Sequence, residues 1–344
     1  MKENLLRTLG NIQQIAGITE TRLCGGRGEG IRMYQFYNTA GLRFSAIPDR
    51  GMDLFDFSYK GMNLSFQSKN GLVSPHAFSA AEGEFTNQWS GGLLCTCGLD
   101  NVGGHCVEDG IYPTHGRMSW MPAEHSGSRA YWDNNDYMLS AHGQVRLAQL
   151  YGRNLTLDRT IQTTLYGKSL HIQDKISNWE SAQSSFMLLY HCNFGAPLLA
   201  PQSLVYTNSK VTIPLNDQSV DPHCMTAPVD GRGEELYLHS NHPKRGYAML
   251  MNPDFELAVY VSFDSTHLPN MLEWKNMRSG DYVLALEPCN TFAINRSQAA
   301  KASKLAILPA FSFIDIDLEI GVLDGTEEIK RFIAEKSLQP ASIR

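Results

Sequence analysis

Hydrophobic and polar residues alternate along much of this chain, and the alternation predicts strands rather than helices. Leu155, Leu157, Ile161 and Leu165 fall on one face of an extended segment, with Thr156, Asp158, Thr160, Gln162 and Thr164 on the other. Gly167 and Lys168 then form a Gly-X pair suited to a two-residue turn. Beyond it Leu170, Ile172 and Ile176 alternate with His171, Gln173, Lys175 and Ser177. A period of two with one apolar face predicts a β-hairpin that is dry on one side. Similar runs predict strands at 33–37, 42–47, 54–59, 186–191, 204–208, 248–251, 257–263, 282–287 and 304–313. Many short strands joined by Gly, Asn and Asp turns predict an all-β fold, a large sandwich of antiparallel sheets with few short helices.

Helical periodicity is scarce. Ile329, Phe332 and Ile333 recur at helical spacing within 327–336, with Thr326 as the expected N-cap. Glu327 and Glu328 would sit at the positive end of that helix dipole. Segment 3–16 is expected to form a second helix. No repeat or linker-like stretch interrupts the chain. The expectation is therefore a single domain over 1–344, its core at about 30–320, with the N-terminal segment and the C-terminal helix packed on it.

The Gly/Asn-rich segment 83–117 fits neither period. It contains Trp89-Ser90-Gly91-Gly92, then Gly98-Leu99-Asp100-Asn101-Val102-Gly103-Gly104, and closes on Pro113-Thr114-His115-Gly116-Arg117. Long irregular loops in compact β proteins tend to carry function. Its polar and aromatic groups suit the wall of a cleft, so a site is to be sought there.

Composition narrows the classes of partner. Apolar residues make up 42% and charged residues 19%, a globular balance, and the net charge of -6 is spread along the sequence. No Lys/Arg cluster of the kind that grips a phosphate backbone occurs, so nucleic acid is not an expected partner. No stretch approaches the roughly 20 apolar residues of a membrane helix. The first residues are interrupted by Arg7, Asn11, Gln13 and Gln14, which breaks the apolar run of a signal peptide. The seven cysteines lack the spacing of a disulfide scaffold, which predicts reduced thiols in the cytoplasm. Cys95, Cys97, His105, Cys106, His239 and His242 lack the Cys-x-x-Cys spacing of a structural zinc site, so no metal is expected.

Four landmarks then occur in order: Asp49-Arg50-Gly51-Met52-Asp53, His115-Gly116, His191 at a strand end, and Glu287 at the end of a late strand. With the strand-rich background they span about residues 30–320. In this set the chain resembles the aldose 1-epimerase (galactose mutarotase-like) superfamily, and within it a divergent aldose 1-epimerase-like branch. The resemblance implies a large antiparallel β-sandwich with a cleft on one concave face. It also implies an isomerase that interconverts the α and β anomers of a free monosaccharide without a cofactor.

The residues suit that chemistry. Ring opening needs a base at the C1 hydroxyl and an acid at the ring oxygen, and a carboxylate with an imidazolium supplies both near neutral pH. On the family pattern Glu287 is the base, His191 the acid, and His115 a second histidine that binds sugar oxygens and polarises the site. Arg50 would hydrogen-bond sugar hydroxyls. Asn193, Asp100, Asn101 and Arg117 are further candidates to bind substrate. Two departures are visible. His191-Cys192-Asn193-Phe194 has Asn193 where the family usually has tyrosine, and the family's sugar-binding aspartate finds its nearest candidates in Glu273, Trp274 and Lys275. Trp274 would stack on the apolar face of a pyranose.

Plainer readings stand beside these. Glu287 precedes Pro288 and could cap a loop, His191 could be a core histidine bonded to a carbonyl, and Arg50 could pair with Asp49 or Asp53. Two other functions fit the pattern: a carbohydrate-binding protein without catalysis, and an epimerase or lyase acting on a modified or phosphorylated sugar. A phosphosugar would call for converging cations, for which Arg50, Arg117 and Lys275 are the candidates. The sequence leaves a homodimer open.

Overall fold

The computed structural model describes residues 2–343. Among these, a 12-stranded and a 9-stranded antiparallel sheet dominate. In the middle of the larger sheet, strands Asp53–Tyr59, Leu94–Leu99, Ser184–Phe194, Asp281–Cys289, Asn270–Arg278 and Glu235–Ser240 lie side by side in that order. The expected hairpin stands in the smaller sheet, where Asn154–Thr164 pairs with Ser169–Asn178.

Side-chain parity explains how the larger sheet is buried on both faces. From Ser184–Phe194, the residues Leu188, Tyr190, Cys192 and Phe194 join the main core between the sheets, with Leu284, Leu286, Met271 and Met277 from neighbouring strands. The intervening Met187 and Leu189 belong to a second cluster on the opposite face, with Cys95, Cys97, Leu238, Leu272 and Cys289. Successive strand residues point to opposite faces, so each of these strands feeds two cores.

A buried ionic group ties the sheets together. Arg159, from the smaller sheet, bonds Asp174 through Nε at 2.8 Å and Nη2 at 2.6 Å, and its Nη1 bonds Thr96 Oγ1 at 2.9 Å. Asp53 Oδ1 lies 3.3 Å from the same Nη1, and the Tyr190 hydroxyl donates to Asp174 at 2.7 Å.

Several predicted elements differ in detail. The hairpin turn has four residues, 165–168, because Leu165 donates its backbone N–H to Tyr137 in the next strand. Segment 304–313 holds only the short strand Ala306–Leu308, and Pro309 stops it, since proline offers no N–H to a ladder. The long strand Phe313–Asp324 follows. The N-terminal helix covers Lys2–Thr8 and ends before Gly10. The C-terminal helix Thr326–Glu335 is capped by Gly325, so Thr326 is its first residue rather than its cap. Segment 83–117 contains strand Leu94–Leu99, every residue of which is buried. A strand covered on both faces shows no alternation, which hid it from the period-two pattern. No helix among the described residues is long and apolar enough to cross a membrane.

Candidate active site

Register brings the two central groups together. Strands Ser184–Phe194 and Asp281–Cys289 pair through Leu189↔Cys289 and Cys192↔Leu286, a register that sets His191 opposite Glu287. Both point to the face of the second cluster, and both are nearly buried, at 6% and 3% exposure. His191 Nε2 lies 2.9 Å from Glu287 Oε1. The contact is a close ion pair rather than an aligned hydrogen bond, because Oε1 has no donor directed at it.

His115 reaches the same place from the irregular segment. Its backbone is left-handed (φ 59°), its N–H donates to Gly103 at 2.8 Å, and its carbonyl accepts from Gly98 at 3.0 Å. Gly116 follows with φ 74°, where a Cβ would stand 2.5 Å from Asp100 Oδ1 and from the Gly98 carbonyl. Only glycine fits that turn. The His115 and His191 rings meet edge to face with centroids 5.6 Å apart.

The electrostatics separate the histidines. Burial pushes His115 down to about 3, with the neighbouring His191 charge acting in the same direction, so its imidazole is neutral at physiological pH. Burial is the largest influence on His191 and opposes its charge, but Glu287, with Cys95 and Asn193, acts the other way and the net result is upward. Of the two rings, His191 is the one whose surroundings favour the protonated form.

Aromatic rings frame these groups. Trp89 lies 5.4 Å from His191 and Trp274 lies 5.5 Å from it, with the two indoles 5.9 Å apart and near perpendicular. Phe85 packs on His115 at 5.1 Å. Together they line a cavity of about 650 Å³, to which Lys69, Asn70, Thr86, Glu234, Asn276 and Asp281 also contribute. That volume lies within the usual range for small-ligand sites. Two buried polar atoms on residues lining it lack a partner, Trp89 Nε1 and His115 Nδ1, while Glu287 Oε1 meets only His191. Buried polar groups are nearly always paired, so two orphans at one cavity wall suit contacts to a ligand.

Of the residues singled out from the sequence, the structure assembles Glu287, His191, His115 and Trp274 around this cavity. The others are held elsewhere. Arg50 pairs with neither Asp49 nor Asp53. Its Nε donates to the Ser119 carbonyl and its Nη1 to the Val73 carbonyl, both at 3.1 Å, and it stacks on Trp120 at 3.9 Å. Asp49 instead binds Arg32. Glu273 and Lys275 flank Trp274 and therefore point to the opposite face. Glu273 meets His239 at 2.9 Å, and Lys275 meets Glu235 at 3.1 Å. Asp100 pairs with Arg117, and Asn101 donates to the Gly104 and Pro113 carbonyls, so these three brace the loop that carries His115. Asn193 is fully buried behind His191. Trp89, Phe85, Asn276 and Glu234 were not among the predicted residues, although the Trp-Ser-Gly-Gly run of the irregular segment marked the first of them.

Comparison with solved structures agrees with this architecture. The chain superimposes with a TM-score of 0.87 on a "putative aldose 1-epimerase" of Klebsiella pneumoniae subsp. pneumoniae MGH 78578, at 20% identity, covering 93% of this chain and 86% of that one. A galactose mutarotase-like protein of Clostridium acetobutylicum gives 0.60 at 14% identity, covering 90% of this chain and 99% of that one. Galactose 1-epimerase of Lactobacillus acidophilus NCFM gives 0.56 at 13% identity, with the same coverage of 90% and 99%. The fold is that of the galactose mutarotase-like proteins. Residues 28–322 match the family described as "Domain of unknown function (DUF4432)", and the chain belongs to that family. No curated protein matches it.

Proposed function

We propose that this protein is an aldose 1-epimerase acting on a free, unphosphorylated monosaccharide. The observation that carries the reading is the pairing of one carboxylate and one imidazolium, Glu287 and His191, at the wall of a sugar-sized cavity beside a neutral His115. Glu287 takes the proton from the C1 hydroxyl while His191 Nε2 gives its proton to the ring oxygen, breaking the C1–O5 bond. The aldehyde turns about the C1–C2 bond. On reclosure the carboxylic acid returns a proton to O1 and the imidazole recovers one from O5. His115, being neutral, serves as a hydrogen-bonding group, and Trp89 and Trp274 offer apolar surface to the C–H face of a pyranose.

Charge favours a neutral substrate. Lys69 is the one Lys or Arg among the described residues that line the cavity, and Asp281 occupies it at 2.8 Å. Glu234, Asp281 and Glu287 supply carboxylates around the same space, which disfavours a phosphate. The test is two-dimensional exchange NMR of α and β anomers for a panel of free hexoses and pentoses, with and without enzyme. Exchange above the buffer rate is expected for at least one sugar. Exchange at the buffer rate throughout, with sugar binding intact, would favour a binding protein instead.

A further inference from the structure

Asn193 does not line the cavity, yet its side chain is placed with unusual definition. The amide nitrogen lies 2.9 Å from the Gly92 carbonyl and 2.9 Å from the carbonyl of His191. Both are pure acceptors, so the amide cannot be flipped without setting its oxygen against two other oxygens. Its Oδ1 consequently faces His191 Nδ1, at 2.5 Å. An amide oxygen only accepts, so His191 Nδ1 must hold a proton.

The backbone around this contact is fixed as well. Asn193 N–H donates to Leu93 at 2.8 Å, and its carbonyl accepts from Phe66 at 3.1 Å. Gly92 has φ 92°, and a Cβ there would stand 2.7 Å from the Leu54 carbonyl, so the acceptor that orients Asn193 sits where only glycine fits.

We infer that Asn193 is a positioning residue that locks the proton on His191 Nδ1, leaving Nε2 as the one ring atom that exchanges a proton with the substrate. The inference rests on the roles proposed above for His191 and Glu287. It has a direct chemical consequence. When the imidazolium gives up its Nε2 proton, the neutral ring that remains is the Nδ1–H tautomer, the form to which Asn193 is hydrogen-bonded. Its lone pair at Nε2 then stands ready to take the proton back when the sugar ring closes on its other face. A ring free to hold the neutral Nε2–H form would lack that lone pair.

The titratable groups facing the His191 ring are Glu287 from strand Asp281–Cys289, Cys95 from strand Leu94–Leu99, and His115 from the irregular segment. The decisive measurement is ring-nitrogen NMR of the full protein labelled with ¹⁵N-histidine, followed through a pH titration. Nδ1 is expected to keep the signature of a protonated nitrogen throughout, with Nε2 alone changing. A neutral Nε2–H tautomer in the native protein would overturn the inference. For Asn193→Leu we expect a kcat loss of at least about tenfold, since a misplaced imidazole tautomer can cost far more. KM should stay near the native value, and the Nε2–H form should appear. Asn193→Asp keeps an acceptor at Nδ1 and should move the His191 titration to higher pH. Thermal destabilisation of both variants with ring shifts and pH profile unchanged would make the role merely structural and sink the inference. Ring NMR needs no turnover, so the two readings fail separately. A locked tautomer in a protein inactive on every sugar removes the epimerase reading, and an Nε2–H ring in an active enzyme removes only the role of Asn193.

Discussion

The rings of His115 and His191 meet edge to face, 5.6 Å between centroids, and their environments drive their proton affinities apart. Burial keeps His115 neutral, whereas Glu287 favours the charged form of His191. Divergent titration of neighbouring groups is how a site separates an acid from a neutral partner, and it supports the acid role proposed for His191.

This division fixes the alkaline limb of the pH–rate profile. In the proposed mechanism activity requires protonated His191, whose value lies above that of an ordinary histidine, so the rate should fall only above about pH 6.5. His115→Asn should keep that limb while raising KM. An alkaline limb centred below the ordinary histidine value would contradict the assignment.

Replacing Glu287 with Gln preserves shape and removes the proposed base. Loss of general base catalysis typically costs about 100- to 10,000-fold, so kcat should fall by at least about 100-fold with sugar affinity largely retained. Steady-state kinetics together with calorimetric binding separates the two quantities. A native rate in this variant would reassign the base.

Trp89 Nε1 is buried without a partner at the cavity wall. In Trp89→Phe the ring surface is largely kept and the donor is lost. A neutral hydrogen bond contributes about 1 kcal/mol, so affinity for the preferred sugar should weaken about fivefold. Unchanged affinity would show that no ligand oxygen meets this nitrogen.

Arg159 is wholly buried between Asp174 and Asp53. Removing the cation leaves carboxylates buried without compensation, so Arg159→Met should cost about 3–5 kcal/mol of stability in urea unfolding. Arg159→Met combined with Asp174→Leu should cost less than Arg159→Met alone.

Stability should also depend on pH with a definite sign. Burial holds His115 down to about 3 and His242 down to about 4, whereas an unfolded histidine titrates near 6.5. Between those values the unfolded chain binds more protons. The two rings therefore contribute stability that is fully present above about pH 6.5 and is lost as pH falls toward about 4 and then 3. His191, shifted upward, acts oppositely: its contribution is present below the ordinary value and is lost as pH rises through its own. His242→Gln should flatten the acid side of a plot of thermal midpoint against pH.

The sequence by itself determined the strand-dominated architecture, because alternation such as Leu155 to Leu165 against Thr156 to Thr164 has one physical solution, a half-buried strand. It also marked His115, His191, Glu287 and Trp274, which the fold gathers at one cavity. Strand Leu94–Leu99 was illegible because burial on both faces erases alternation. Tertiary structure alone decided which face each polar residue serves. Glu273 and Trp274 are adjacent in sequence, yet only the second reaches the cavity, since a one-residue step along a strand reverses side-chain direction. Likewise Arg50, Asp100 and Arg117 carry suitable chemistry, but carbonyls and counter-charges from distant segments claim it. Such partners come from residues far away along the chain, and only the folded register brings them within reach.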